Sequence, residues 1–174
     1  MRRLARALAD QSGVIAVEFA LLFPVMVAML LGAMSAAHLA RASIALWSAA
    51  QSIGDLVAQQ TSMTASALTD FCKGGSLTLT PFTGTFTVSA ASVTKSSSGT
   101  LGLDWQDTTA CGGAAMADAL TSSAAYVPNP KDSVIMVRAV FVYSFPASYV
   151  LPKTLTLTRT TFSRPRSNTS VVHT

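Results

Sequence analysis

The sequence predicts an α+β protein: one long N-terminal helix, half membrane-spanning and half amphipathic, packed on an antiparallel sheet of about four strands with one short inserted helix. Three observations predict it. An uncharged apolar run extends from Phe19 to Ala37, about the 20 residues that a membrane-crossing helix needs. Apolar residues then continue at three- and four-residue steps through Leu39, Ala42, Leu46, Ala49, Ile53 and Leu56, the spacing of one buried helix face. After Thr85 the apolar spacing changes to every second residue, the period of a strand. Short turns between successive runs favour an antiparallel meander.

Residues 1–13 form a short basic head with Arg2, Arg3 and Arg6. The head lacks the small-x-small cleavage pattern of a secretory signal, and the run behind it exceeds the about 7–15 residues of a signal core. Arginines before the span and only Arg41 soon after it place the N-terminus in the cytoplasm and the rest of the chain beyond the membrane. Residues 14–40 are therefore assigned to the membrane and 41–69 to the amphipathic continuation of the helix. Residues 70–164 form the periplasmic domain and 165–174 a flexible tail. Pro24 removes the amide that would bond the Ala20 carbonyl, so a kink is expected there. Small residues recur at every fourth position, Ala28, Gly32, Ala36 and Ala40, a ladder that lets a second helix approach closely. Such residues are frequent in any membrane helix, so the ladder alone does not decide. Trp47 fits either the domain core or the membrane interface.

Beyond the helix, Asp70 to Gly75 reads as a turn because of Gly74-Gly75. Thr85 to Val88 alternates as a strand, and Val93 falls on the other parity, which places a bulge near Ala90-Ala91. Leu101, Leu103 and Trp105 share one face of a second strand. Ala114 to Ala124 is expected as the inserted helix, and Val127 to Asp132 as a proline-stiffened turn. Ser133 to Phe145 is apolar on both faces, the pattern of a central strand. Its one charge, Arg138, is expected in solvent. Pro146 to Pro152 turns the chain into a last strand, Leu155 to about Ser163, before the polar tail.

The chemistry on offer is sparse. Half the chain is hydrophobic and only 11% is charged. The first thirteen residues hold three of the twelve cations and one acid, and without them nine basic residues stand against seven acidic ones. No basic cluster interleaves with aromatics, which argues against nucleic acid. His38 and His173 have no Ser, Cys or acid partner at a recognisable spacing, so no catalytic set is expected. Asp104 and Asp107 read as surface turn residues. Cys72 and Cys111 lack the neighbours of a zinc site, and neither a metal nor a cofactor is expected. An exported domain permits a Cys72–Cys111 disulfide; two separate thiols are the alternative. Glu18, at the mouth of the apolar run, is the one chemically loaded residue, because an acid near hydrocarbon is costly. A headgroup-level, solvated Glu18 is the bland alternative.

The segment Gly13-Val14-Ile15-Ala16-Val17-Glu18-Phe19, continuing to Pro24, resembles the N-terminus of TadE-like proteins, the minor pseudopilins of tight-adherence (Tad/Flp) type IV pilus systems. The stretch Val127 to Tyr143, with Leu155 to Arg159 and Arg164-Pro165-Arg166, resembles that family's C-terminal strand pair. The resemblance implies a pilin-like fold and cleavage by a prepilin peptidase between Gly13 and Val14, with Glu18 and Phe19 in the recognition signal. It implies as partners other pilus subunits, the inner-membrane assembly platform and the lipid bilayer. The role implied is structural, in pilus initiation, assembly or adhesion. After cleavage, Glu18 of one subunit could pair with the new α-amine of a neighbour and set the axial register. The alternative is an uncleaved, single-pass scaffold of an envelope complex.

Overall fold

The computed structural model describes residues 12–145, 153–166 and 170–174. The basic head as far as residue 11 and the expected turn at Pro146–Pro152 lie outside them. The chain divides into two compact units, Met1–Ala40 and Arg41–Thr174. A single helix, α1 (Ser12–Gln59), belongs to both and continues through Pro24.

In the first unit most of the described side chains of α1 are exposed. Ile15, Leu21, Met29 and Leu30 are each about 70% exposed, as suits side chains meant for lipid rather than for a protein core. Phe19 and Phe23, one turn apart, bring their rings to 5.7 Å.

In the second unit the same helix acquires a buried stripe: Ala42, Leu46, Ala49, Ala50, Ile53 and Val57. The expected stripe drifts by one position at its end, where Leu56 is exposed and Val57 buried, because 3.6 residues per turn carries the Ala42–Ile53 line on to Val57. Small residues let the sheet come close. The hydroxyl of Thr161 donates to the Ala50 carbonyl at 3.2 Å. A Cβ on Gly54 would lie 3.0 Å from the Ser163 hydroxyl, so this glycine allows a close helix–sheet contact.

The helix ends at Gln59, which corrects the assignment of 41–69 to one continuous element. A two-residue strand β1 (Ser62–Met63) and a second helix α2 (Ala65–Leu77) follow. Thr64 caps α2, its hydroxyl accepting from the Ala67 amide at 3.2 Å, a common N-cap arrangement. The expected turn at Asp70–Gly75 is therefore helical. Gly75 stands where α2 crosses α1, and a Cβ there would meet Ile53 Cδ1 at 2.7 Å. The glycine that reads as a breaker is a packing residue.

The main sheet comprises β2 (Gly84–Lys95), β3 (Leu101–Asp107), β4 (Ser133–Ser144) and β5 (Thr154–Ser163). All neighbours are antiparallel, in the order β3-β2-β4-β5. This is not the simple meander: β3 sits at an edge, and the chain crosses back over β2 to place β4 between β2 and β5. A strand apolar on both faces needs a neighbour on each side and cover above and below. Its odd-numbered side chains from Ile135 to Tyr143 are buried, and they share the α1 face with Thr161, opposite Val137. On the other face Val134 and Met136 pack with Ala91, Val93, Met116, Ala119 and Val127. The bulge expected at Ala90-Ala91 lies instead between Ser92 and Val93, and only against β3. Both alanines are buried, which is why their parity could not be read from polarity.

The inserted helix α3 (Ala119–Ser123) starts later than Ala114 and is followed by a short 3₁₀ turn, Ala124–Tyr126. The residues before it are committed elsewhere. Gly112 bridges to Val88, and the Ser89 hydroxyl donates to the Ala114 carbonyl at 2.7 Å. Gly113 lies so close to Ser89 and the Val88 carbonyl that any side chain would collide with them. Arg138, expected in solvent, is half-buried. It donates to Asp118 at 2.7 Å and so ties the start of α3 to the sheet. That hydrogen bond is the main reason the Asp118 carboxyl is held down to about 2.

Candidate functional site

The residues singled out at the N-terminus all lie on one regular stretch of α1. Gly13, Val14, Glu18 and Phe19 are exposed, and nothing lies within 4 Å of where a Gly13 side chain would begin. The ladder of Ala28, Gly32, Ala36 and Ala40 is likewise exposed, with open space over Gly32. Helical spacing puts those four residues on one side of the rod. Glu18 precedes the ladder and Arg41 follows it, and no other charge stands between them. The helix contains an 18-residue window of mean hydropathy 2.6, none of it buried by protein. By length and composition it is able to cross a membrane.

The second unit decides between the two readings of its cysteines and adds contacts that the sequence concealed. Cys72 on α2 and Cys111 beyond β3 are joined by a disulfide, with Cα atoms 6.3 Å apart. Nearby, the Thr69 hydroxyl donates to the Ala110 carbonyl at 3.1 Å, adding a second tie between the same segments.

The tail is not free, which corrects the expectation for 165–174 wherever residues are described. Val172–His173 forms strand β6, parallel to β1, with the Val172 amide bonded to Thr61 and the Thr174 amide to Met63. Val171 is buried, and its carbonyl accepts from the Trp105 indole at 2.6 Å. His173 packs its ring 5.1 Å from Trp105 and sets Nε2 3.2 Å from Asp107 Oδ2. So His173 has an acid partner after all, and Asp107 is no surface turn residue. Sixty-six residues separate the pair in sequence, and no local pattern could announce it. Burial works against a charged Asp107. It is outweighed by the amides of Ala110 and Thr109, with His173 and the Thr109 hydroxyl, and the carboxyl ends below its ordinary range. Asp104, by contrast, accepts from the Thr94 and Ser92 hydroxyls at 2.7 and 3.2 Å.

This arrangement fastens the tail to the domain; among the described residues it assembles neither a nucleophile beside His173 nor three metal-ligating side chains. A depressed carboxyl contributes stability above its unfolded value of 3.8 and loses it as pH falls through the folded value. Acid titration of unfolding midpoints is expected to show the wild type converging on Asp107→Asn below about pH 4. A gap that stays constant as the pH is taken well below about 4 would remove the carboxylate from the account.

Residues 13–54 fit the family model described as TadE-like protein. It covers the exposed helix and the first part of the buried stripe; the C-terminal strand pair lies outside it. No curated protein and no solved structure matches the chain.

Proposed function

We propose that this protein, whose N-terminal segment is TadE-like and whose apolar helix fits a membrane-anchored protein related to Tad pili, is a minor pseudopilin acting structurally in pilus assembly. A prepilin peptidase cuts it between Gly13 and Val14. The observation that carries this reading is the coincidence of the family match with a largely exposed stretch of α1, residues 13–40, whose one acid, Glu18, is the fifth residue after that bond. Gly13 fits a protease subsite that must admit the backbone closely, since a residue without Cβ leaves the bond open to approach.

Cleavage would leave a cationic α-amine on Val14, four residues before Glu18. In a bundle of such helices the amine of one subunit meets the acid of another. Each offsets the cost of the other's charge near hydrocarbon, and the pair sets the axial stagger. The ladder Ala28, Gly32, Ala36 and Ala40 provides the close helix contact. The folded second unit then stands outside the cytoplasm, where its disulfide is chemically at home. Its role there is binding rather than catalysis, toward other pilus subunits and the assembly platform, and it could reach the cell surface within an adhesive fibre.

The test is the mature N-terminus. Mass spectrometry of the protein from membranes is expected to find a chain beginning at Val14, and Gly13→Leu is expected to retain the whole leader. A wild-type chain that keeps residues 1–13 would leave the uncleaved, single-pass scaffold as the better reading.

A further inference from the structure

Strand β5 is an edge of the main sheet, and α1 lies along it. Moving along α1, Ser43 meets Arg159, Ala50 meets Thr161 and Asp55 meets Ser163. The seam between the two elements holds two open hollows of about 440 and 310 Å³, which share Trp47 and Thr160. Every residue lining them belongs to the second unit. Trp47 is 49% exposed, so it is not a core residue; it stands where the hollows join.

The lining combines aromatic rings with polar side chains. Trp47, Gln51 and Asp55 follow one another at four-residue steps, which puts them on one face of α1, and all three are exposed. Tyr126 and Ser163 stand with them in the smaller hollow. Tyr126 is stacked on Phe162, with centroids 4.1 Å apart and planes 14° from parallel, yet it remains 46% exposed. Phe162 thus backs one face of the phenol ring. Asp55 accepts from the Ser163 hydroxyl at 3.2 Å. In the larger hollow the Arg159 guanidinium donates to the Ser43 hydroxyl. Neither Asp55 nor Arg159 has an ion-pair partner among the described residues. A carboxylate offers several acceptor positions and a guanidinium several donors, so one neutral hydroxyl apiece leaves most of that capacity unused.

We propose that this seam binds a neutral oligosaccharide, with a sugar ring on Trp47, hydroxyls bonded by Gln51 and Asp55 on one side, and hydroxyls bonded by Arg159 on the other. A pyranose has faces of C–H groups and a rim of hydroxyls that both donate and accept. An indole face covers the first without asking for a hydrogen bond. A carboxylate, an amide and a guanidinium meet the second, and bonds to the charged pair are the stronger ones. One charge of each sign suits a ligand with no net charge, and two joined hollows suit a chain of rings. A quaternary ammonium ion binds best among several aromatic faces, whereas Phe162 already occupies one face of Tyr126. A peptide strand added to the β5 edge gains its specificity from pockets for alternate side chains; here the side chains beside the edge are mostly polar. The inference is independent of the pilus reading, since no residue before Ser43 takes part.

The test uses the full-length protein in a polyoxyethylene detergent, which carries no sugar, with cellohexaose, maltohexaose and chitohexaose as probes. Trp47 emission, isolated by subtracting the spectrum of Trp47→Phe, is expected to change saturably with at least one of them. Affinity for that sugar, measured by calorimetry, is expected to fall roughly fivefold or more in Asp55→Asn and about threefold in Gln51→Ala. Near-ultraviolet circular dichroism is expected to show both variants folded as the wild type. No response to any of the three sugars overturns the proposal, and so does binding that folded Asp55→Asn and Gln51→Ala leave unchanged. A Trp47 response to tetramethylammonium, or to a peptide of residues 154–163, with none to the sugars gives the seam to a cation or to a pairing strand and equally overturns it.

Discussion

Replacing Glu18 with glutamine is expected to reduce incorporation of the protein into assembled pili by roughly tenfold or more, scored on the fraction of chain that is trimmed to Val14. The magnitude follows from the cost of an intramembrane charge, about 2.5–3.5 kcal/mol at a helix centre and less toward the interface. If the acid of one subunit cancels the amine of another, removing it strands the amine near hydrocarbon and removes the register. Glutamine keeps the shape and the hydrogen-bonding atoms, so the loss reports charge. Incorporation is read by quantifying the protein in sheared pilus fractions against total membrane protein. Undiminished incorporation with normal trimming would sink the electrostatic docking of Glu18 while leaving cleavage after Gly13 standing. The ladder offers no substitute for this contact, since small residues permit approach without choosing a stagger.

The second large effect is expected from removing the disulfide. Cys72 and Cys111 are 39 residues apart, and closing a loop of that size restricts the unfolded chain by about 4 kcal/mol in the loop-entropy account. The double variant Cys72→Ser, Cys111→Ser is expected to unfold at a temperature lower by about 10 °C, measured on the full-length protein in detergent by near-ultraviolet circular dichroism. The bond joins α2 to the segment that leaves β3, and that segment lays Gly112–Ala114 along β2 before α3 begins. Loosening is therefore expected to start at the β3 edge, where Asp107 and Trp105 also hold the tail. A double variant as stable as the wild type would mean that Thr69 and the packing of α2 already fasten this edge.

Some of this protein was legible in the order of its residues, and the reason differs from element to element. The apolar run of α1 is a one-dimensional signal, because lipid is a uniform solvent and nineteen uncharged residues in sequence mean the same in any tertiary setting. Ser133 to Ser144 was legible as a central strand for a similar reason, since burial on both faces leaves a continuous apolar string. Glycines were legible only as glycines. Gly75 reads as a turn signal but lets two helices touch, and Gly113 lets a loop lie on β2. A missing Cβ serves flexibility and contact equally well, and only the neighbour distinguishes them. The sheet order could not be read at all, because short turns are compatible with a meander until a crossover intervenes.

By itself, then, the sequence determined the long apolar helix and the α+β class, and it singled out Gly13 and Glu18 for test. Each of these depends on residues adjacent along the chain or one helix turn apart. Only the tertiary structure decided that β3 lies at the edge, that Trp47 stays outside the core, and that the tail is held by Trp105 and Asp107. The tail rests on groups brought together across 66 residues, and the sheet order on strands far apart in the chain. Their partners are chosen by the geometry of the whole sheet, which no short window of sequence contains.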